Sequence, residues 1–551
     1  MKSSSLPAAI VAIAAACGSG TEPQLGACTS SANVTVSLSP GGFNAFDPGV
    51  NACFAFPANS AVDTAEYVIV AQSATTGTDR YADFQLTGAV PTASLFPPLA
   101  ISAPPSPVEA FHAMLRENAR NRFYGAPPPA GPDLMAASRA SRPPQLGEHR
   151  QFGLCAVLSC QQMIHVDANV VALGQNLAIY ADQEVLNSLG LTDQQLDSLV
   201  QVFDTRLFPL DTTSFGGTSD RDGNGLVTLL LTPVVNRLVT EQQCTSNGAF
   251  VTGFFYGADL DTFYDTDTRF SHGEVFYALV PDPAGSFSCA HPASDLMQLL
   301  PTTFVHELQH MINFNQHVLV KEVRAEEPWL DEGLSHFAEE LAGRSYLSGD
   351  TASFSKYVIS DVINAYKYLN NPGSTYLLTE GGGSLAERGA AWLFVRYVVD
   401  QERTDPSLEA TQHVTRALVQ RNTVGAASVA FVSGRPFDQT VARWALANWV
   451  SDLPGFTAPP ELRYRSWFFR STFQSVHNQN ATIFPKPYPL TPDSTAGTAV
   501  SLSGVLHSGS GFYHRVIQIP GASAFTLQLS NGSGGAVRYQ VAPQLAVVRI
   551  R

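Results

Sequence analysis

The sequence predicts an α+β protein in which a large unit of strands and helices is flanked by small β-sandwich-like domains. Short runs near both chain ends alternate apolar and polar residues, such as "NVTVSLS" and "FTLQLS", and this two-residue period is typical of half-buried strands. Between them, helical patterns alternate with apolar strand-like runs, as in α+β units. The 551 residues, 44% hydrophobic and 14% charged, suffice for several domains and a large core.

Residues 1–17 are predicted to be a signal peptide of the lipoprotein type, because one lysine and a short apolar run precede small residues and Cys17. The apolar run is too short to span a bilayer. The "AAAC" ending resembles a bacterial lipobox, in which the cysteine is lipidated; ordinary cleavage after Ala16 is the alternative. We therefore expect an exported protein, either an outer-membrane or cell-surface lipoprotein anchored through Cys17 or a secreted one.

Six further cysteines remain once Cys17 is set aside as the lipid site. An even number of cysteines suits disulfide bonds in an oxidising compartment. Sequence alone leaves every pairing open, but proximity along the chain suggests three bonds: Cys28–Cys53, Cys155–Cys160 and Cys244–Cys289.

The domain order follows from changes in composition along the chain. Residues 18–100 are predicted to form an N-terminal β domain, and the proline-rich residues 101–150 a linker that contains one short helix, "VEAFHAMLRENARNRF". Residues 151–485 form a unit of enzyme size, with a mixed sheet and helices followed by a mainly helical part. Residues 486–551 return to short β runs and predict a C-terminal β domain.

The stretch "TTFVHELQHMINFNQH" contains the pattern H-E-x-x-H at His306, Glu307 and His310. On a helix, the two histidines four residues apart project from one face, where both imidazoles can bind one Zn²⁺. Glu307 lies beside them and can act as a general base. The alternative is a buried helix whose polar residues are satisfied within the core.

A catalytic zinc ion needs a third protein ligand. The metzincin spacing would place it at position 316, which is Gln316, so that class is rejected. A second helix is predicted in "EEPWLDEGLSHFAEELAGR", because Pro328 suits a first turn and leucines with Phe337 form an apolar stripe. The candidate ligands on another face of that helix are Glu332, His336 and Glu339. The rival candidates, which precede the helix, are Glu322, Glu326 and Glu327.

The two stretches together resemble the gluzincin metallopeptidases, in which H-E-x-x-H is followed by a W-L-x-E-G helix. Here the segments are "HELQHMINFN" and "WLDEG". "WLDEGLSHFAEEL" and "AFVTGFFYGADL" look most like the hyicolysin-type peptidases of that clan. The resemblance implies a zincin-type catalytic domain that holds one zinc ion through His306, His310 and Glu332. It also implies Glu307 as the catalytic base and a protein or peptide substrate.

The sequence departs from the aminopeptidase branch of this clan in two ways. The G-x-M-E-N element that holds a substrate amino terminus is missing, and the tyrosine that steadies the oxyanion is replaced by Ala386. The resemblance therefore favours an endopeptidase and leaves the oxyanion donor open, with Tyr376 and His336 as candidates.

The stretch "SDRDGNGLVTLLL" places Asp220, Asp222 and Asn224 at positions 1, 3 and 5 of a loop that resembles the start of a calcium site. Position 12 of an EF-hand loop would be Leu231, so this is not an EF-hand. Calcium is therefore a second candidate cofactor. The alternative is a D-G/N-G turn before a buried strand.

The net charge of −15 argues against a nucleic-acid partner, because binding to phosphates needs a basic surface. Contact with a membrane is expected only through the N-terminal lipid. Two other functions stay open at this point. One is a non-enzymatic surface lipoprotein that binds glycan or protein, and the other is a gluzincin hydrolase with a non-peptide substrate.

Overall fold

The computed structural model describes residues 25, 26, 28, 33–88, 105–122 and 142–551, and these form a mixed α and β structure. The predicted signal peptide and Cys17 lie outside the described residues. Within the described ranges, no helix combines the length and apolar character needed to cross a membrane.

In the described residues, sixteen strands form three sheets. In chain order they are β1 (Val34–Thr35), β2 (Phe43–Phe46), β3 (Cys53–Phe56), β4 (Ala65–Ser73), β5 (Tyr81–Thr87), β6 (His149–Cys155), β7 (Met163–Leu173), β8 (Leu177–Asp182), β9 (Val227–Leu231), β10 (Gly253–Phe255), β11 (Val275–Ala278), β12 (Ser494–Thr495), β13 (Ser501–His507), β14 (Gly511–Gln518), β15 (Phe525–Ser530) and β16 (Pro543–Arg549).

Thirteen α-helices lie in the described part of the chain, most of them after residue 290. They are α1 (Pro107–Asn121), α2 (Asp193–Val202), α3 (Phe208–Ser214), α4 (Pro233–Asn236), α5 (Glu241–Asn247), α6 (Ala293–Phe314), α7 (Pro328–Arg344), α8 (Thr351–Asn370), α9 (Leu385–Glu402), α10 (Leu408–Val419), α11 (Gly425–Ser433), α12 (Phe437–Val450) and α13 (Phe469–Gln479).

The strands from the two chain ends form one β-sandwich and not two separate β domains. One sheet has the order β1-β3-β15-β5-β13 and the other β12-β14-β4-β16-β2, so both mix strands from both ends. The expectation of two flanking domains is thus corrected. The alternating pattern identifies a strand and its buried face, but it does not identify the strand that pairs with it.

Strand β4 joins the sandwich to the helices, because all nine of its residues are buried. Tyr67 and Ile69 point into the core between the two sheets, whereas Val68 and Val70 belong to the large core that includes α12. Successive side chains of a strand point to opposite faces. One strand therefore closes both cores, and the sandwich packs firmly on the helical part.

The central unit contains a six-stranded mixed sheet with the order β10-β11-β9-β8-β7-β6. Strands β8, β9 and β11 are parallel, while β10 runs antiparallel to β11 and forms one edge. Helix α6 packs beside β10, and α7 packs between α6 and α9. Gly333 permits the close approach of α9, since a Cβ atom there would lie 2.9 Å from the carbonyl oxygen of Ala391.

Helix α1 lies within the segment that the sequence predicts to be a linker with a short helix. It is bounded by a capping box, in which Ser106 and Glu109 satisfy each other's backbone N–H groups. The helix docks on the central unit through four buried residues: Phe111, Leu115, Arg116 and Ala119.

The three expected disulfide bonds are present in the structure, at Cys28–Cys53, Cys155–Cys160 and Cys244–Cys289. The first lies in the β-sandwich, where Cys53 begins β3. The second closes a turn at the end of β6, and the third connects α5 to the segment that precedes α6.

We predict that the two chain ends stabilise each other. Leu527 of β15 is fully buried opposite Phe54 of β3. Leu527→Ala should lower the free energy of unfolding by about 2–5 kcal/mol, as expected for a large-to-small core substitution. Hydrogen exchange should also accelerate in the N-terminal strands β3 and β5. The control is Ile519→Ala, because Ile519 is 63% exposed; loss of protection confined to residues 494–551 would contradict the joint sandwich.

Candidate active site

The H-E-x-x-H pattern occupies the last two turns of α6, where every residue from Phe304 to Phe314 is buried. The helix continues as a π-helical turn, Asn315–Val320. A helix buried on all sides faces other protein elements all round. The imidazoles of His306 and His310 therefore project into the space between α6 and α7 and not into solvent.

The two imidazoles face each other through their Nε2 atoms, which are 3.1 Å apart. Each Nδ1 is held by a carboxylate of α7: that of His306 lies 2.7 Å from Glu339, and that of His310 lies 2.9 Å from Asp331. An Nδ1–H that donates to each carboxylate leaves the Nε2 atom as the position where a proton or a metal ion binds. This carboxylate–histidine arrangement is typical of metal-binding histidines.

Glu332 of α7 completes a triangle with the two imidazoles. Its Oε2 lies 3.5 Å from Nε2 of His306, and its Oε1 lies 3.8 Å from Nε2 of His310. Around a tetrahedral zinc ion, with ligand bonds of about 2.0–2.1 Å, the ligand atoms are about 3.3 Å apart. The three side chains therefore fit a tetrahedral metal site with one position left for another ligand.

The three glutamates that rival Glu332 as the third ligand do not lie against the two histidines. Glu326 accepts hydrogen bonds from the backbone N–H groups of Glu327 and Gly425. Glu327 forms an ion pair with Arg120 and accepts a hydrogen bond from the indole of Trp329. Glu322 is exposed. Among these candidates, Glu332 is the one that lies against both histidines.

Glu307 is held from two sides. The backbone N–H of Phe255, on the edge strand β10, donates to its Oε2 over 2.9 Å. The guanidinium of Arg116, on α1, donates to the same oxygen over 3.0 Å. Neither hydrogen bond uses Oε1, so that atom is the one that can receive a proton.

Opposing effects set the pKa values of the buried carboxylates. Burial raises the pKa of Glu332, but Arg388 and the two histidines outweigh it and hold the pKa well below its usual range. For Glu307, burial is again the largest single effect, and Arg116 with the two histidines lowers the pKa overall. Both carboxylates are therefore ionised near neutral pH, as a ligand and a general base must be.

His306 shows the opposite balance. Burial lowers the pKa of His306. The hydrogen bonds to Glu332 and Glu339 together outweigh burial and raise this pKa to about 9. The surrounding carboxylates thus favour positive charge at the centre of the cluster. A divalent cation supplies that charge and competes with the proton for the same imidazole nitrogen.

The two candidate oxyanion donors lie in different surroundings. His336 is close to the cluster, with its ring centroid 4.9 Å from that of His306, and its Nδ1 lies about equally near Glu339 and Asp361. Tyr376 stacks on His507 of the β-sandwich, with the ring centroids 4.9 Å apart. An oxyanion role for either residue stays a prediction.

The candidate calcium loop lies before β9. Asp222 is buried, and its carboxylate accepts hydrogen bonds from Arg150 over 2.6 Å and from the side chain of Asn224 over 2.8 Å. Asp220 is exposed and accepts a hydrogen bond from the backbone of Gly225. These contacts fit a stable turn, with a guanidinium as counter-ion to Asp222. Calcium binding by this loop stays a prediction.

Three residues of the cluster were not predicted from the sequence: Arg116, Asp331 and Arg388. Arg388 of α9 lies 3.4 Å from Glu332, on the side opposite to Arg116. In the sequence, Asp331 could have been identified from its position beside Glu332 in the second predicted helix. The signal for Arg116 was the apolar stripe of Phe111, Leu115 and Ala119 beside it, because such a stripe needs a surface to pack on.

Comparison with known proteins gives one relative and no family. No family model matches the chain. The chain is similar to the neutral metalloprotease ShpI of Staphylococcus hyicus, with 25% identity over 233 residues, which are 40% of this chain and 49% of that protein. The chain thus spans about half the length of the curated relative that it matches. This similarity supports a relation to metalloproteases, and the finer gluzincin assignment stays a prediction.

We predict that Glu339 controls metal affinity without binding the metal. Glu339→Ala removes the acceptor that orients His306, so the affinity for zinc should fall about 10–100-fold, the usual effect of losing such a partner. The affinity can be measured by competition with a chromophoric chelator. Glu409→Ala, which removes an exposed glutamate of α10, is the control and should leave the affinity unchanged. Equal affinities in the two variants would contradict this role of Glu339.

Proposed function

We propose that the protein is a zinc-dependent metallopeptidase that cleaves within peptide chains. The observation that carries this proposal is the pair of Nε2 atoms 3.1 Å apart, each backed by a carboxylate and adjoined by Glu332. Two imidazole nitrogens so close together are stable with a proton or a metal cation between them, and the proposal is that a metal cation takes this position.

The ligands in this proposal are His306, His310 and Glu332. A zinc ion bound there supplies a Lewis acid that polarises a carbonyl and lowers the pKa of a water molecule towards about 7. The chain itself fixes the orientation of the ligands. Glu339 and Asp331 hold the imidazoles in one tautomer, and Arg388 keeps Glu332 ionised.

Glu307 is the general base. Its Oε2 is fixed by the backbone N–H of Phe255 and by Arg116, and Glu307 lies next to the proposed ligand His306 in the chain. This carboxylate takes a proton from the attacking water and passes it to the departing amine. The reaction needs no covalent acyl-enzyme, so no serine or cysteine nucleophile is assigned.

Cleavage inside chains follows from the sequence, which lacks the element that binds a substrate amino terminus in aminopeptidases. The named relative is a neutral metalloprotease, and this supports a protein or peptide substrate here. The comparison covers 40% of this chain and 49% of that relative.

We also propose that the protein is exported. The three disulfide bonds support an oxidising compartment. The lipobox-like sequence before Cys17 supports a lipid anchor at the outer membrane or cell surface.

The chemistry can be tested with two substitutions in the site. Glu307→Gln should keep about one zinc ion per chain while hydrolysis of unfolded casein falls by about 10²–10⁴-fold, the usual loss for a general base. Glu332→Ala should lose the metal. Zinc content can be measured by atomic absorption and cleavage sites by mass spectrometry.

Glu322→Gln is the matched control, because Glu322 is an exposed glutamate that precedes α7; it should behave as the wild type. A wild type that binds no zinc, or full proteolysis by the Glu307→Gln protein, would refute the proposal. Release of single residues from the ends of the substrate would contradict only the part of the proposal that places cleavage inside chains.

Export makes a separate prediction about the cysteines. If Cys17 is lipidated and the other six cysteines are paired, the mature protein should fractionate with membranes and show no reactive thiol after denaturation. Cys17→Ser should release the protein or leave its precursor uncleaved. Two or more free thiols in the purified protein would contradict the disulfide part, and a soluble mature wild type would contradict the anchor.

A further inference from the structure

Helix α1 is a short amphipathic helix that packs on the site with one narrow face. Its buried side chains are Phe111, Leu115, Arg116 and Ala119. Phe111 packs edge-to-face on Phe254 of β10, with the ring centroids 5.1 Å apart. The edge strand that holds Glu307 through its backbone is therefore covered by this helix.

Arg116 projects from that face into the centre of the site. Its guanidinium donates to Oε2 of Glu307 over 3.0 Å and approaches Oε1 of Glu332 at 3.4 Å. It thus contacts both the proposed base and the proposed third ligand. The Arg116 side chain is 3% exposed, so this contact excludes water.

Two cavities lie at opposite ends of α1. One of about 810 Å³ is lined by residues 119–122 at the end of the helix, and one of about 400 Å³ is lined by residues 106–109 at its start. The second also touches the wall formed by Phe250 and Arg388. Helix α1 therefore lies between the two cavities, since its end lines one and its start lines the other.

The proposed reacting groups are inaccessible in this arrangement. Glu307 and His310 are each 2% exposed, Glu332 is 0% exposed and His306 is 9% exposed. A peptide bond must come within hydrogen-bond distance of Glu307 to react. Some covering element must therefore move before a substrate can bind.

We propose that α1 is an autoinhibitory helix, which holds the enzyme inactive by filling the substrate groove and pairing Arg116 with Glu307 and Glu332. This inference rests on the proposed function and adds its regulation. The guanidinium occupies a hydrogen-bonding position on Oε2 of the proposed general base. Beside a metal ligand, it also opposes the charge of the cation.

The alternative is that Arg116 assists catalysis by stabilising negative charge in the transition state. Its two contacts argue against this role, because both are carboxylates of the site and neither is a position for substrate. The helix that carries Arg116 also occupies the space beside strand β10. The two roles predict opposite effects of removing the side chain.

The first experiment replaces Arg116 in the full chain. Arg116→Ala should raise casein hydrolysis about 10–100-fold over the wild type, the range expected when charge-assisted hydrogen bonds that favour the closed state are removed. Zinc should also bind more tightly. Glu117→Ala changes the neighbouring, exposed residue of the same helix and should match the wild type in both measurements.

The second experiment fixes the helix in place. A Cβ atom at Gly381 would lie 2.8 Å from Cβ of Ala113, so a small shift brings two cysteines to the separation of about 3.5–4.5 Å found in disulfides. The Ala113→Cys/Gly381→Cys protein should crosslink, lose activity and release zinc to a chelator at least about tenfold more slowly. Mild reduction should restore both the activity and the wild-type rate of zinc release. The wild type with the same reductant, and each single cysteine variant, are the controls.

The outcomes separate the two proposals. Activity of Arg116→Ala at or below the wild-type level, in a folded protein with full zinc, would overturn the autoinhibitory role. A crosslinked protein that stays active or releases zinc at the wild-type rate would overturn it as well. If instead Glu307→Gln fails to abolish activity in the Arg116→Ala background, the proposed chemistry fails. The zinc release rates would still decide whether α1 covers the site.

Discussion

The site depends on one electrostatic constraint, the close approach of two imidazole nitrogens between α6 and α7. With each Nδ1 bound to a carboxylate, the Nε2 lone pairs of His306 and His310 point at each other across 3.1 Å. Such an arrangement is stable when a proton or a metal cation lies between the two nitrogens. The neighbouring ionised side chains compensate this charge, and their own burial is tolerated because each has a partner.

The helices around the site are held by a second ionic network that is as deeply buried. Arg396 of α9 contacts both Glu340 of α7 and Asp400, and all three side chains are at most 1% exposed. Glu340 also accepts hydrogen bonds from the indoles of Trp392 and Trp467. Removing one partner of a buried pair is costly, since the other charge is left without compensation. The network therefore fixes α7, and with it Glu332, in one position relative to α9.

The parts of the site that could be predicted from the sequence are those encoded by local spacing. His306, Glu307 and His310 lie within one helical turn, and Pro328 marks the start of the next helix, as expected. The role of Glu339 and Asp331 as partners of the histidines depends on how α7 is rotated against α6, and helical periodicity does not fix that rotation. Arg116 reaches the site from a segment nearly two hundred residues upstream, so only tertiary structure reveals it. The strand pairing between the chain ends was missed for the same reason.

The union of both chain ends in one sandwich has a consequence for how the protein is made. Strands β4 and β5 leave the ribosome long before their hydrogen-bonding partners β13 to β16, which are much further along the chain. Until then, β4 exposes apolar side chains and unsatisfied backbone groups, a surface that promotes aggregation. Contacts of such long sequence separation also form slowly. Completion of the sandwich must therefore wait until β13 to β16 have been translated, and the amino-terminal strands are exposed to aggregation until then.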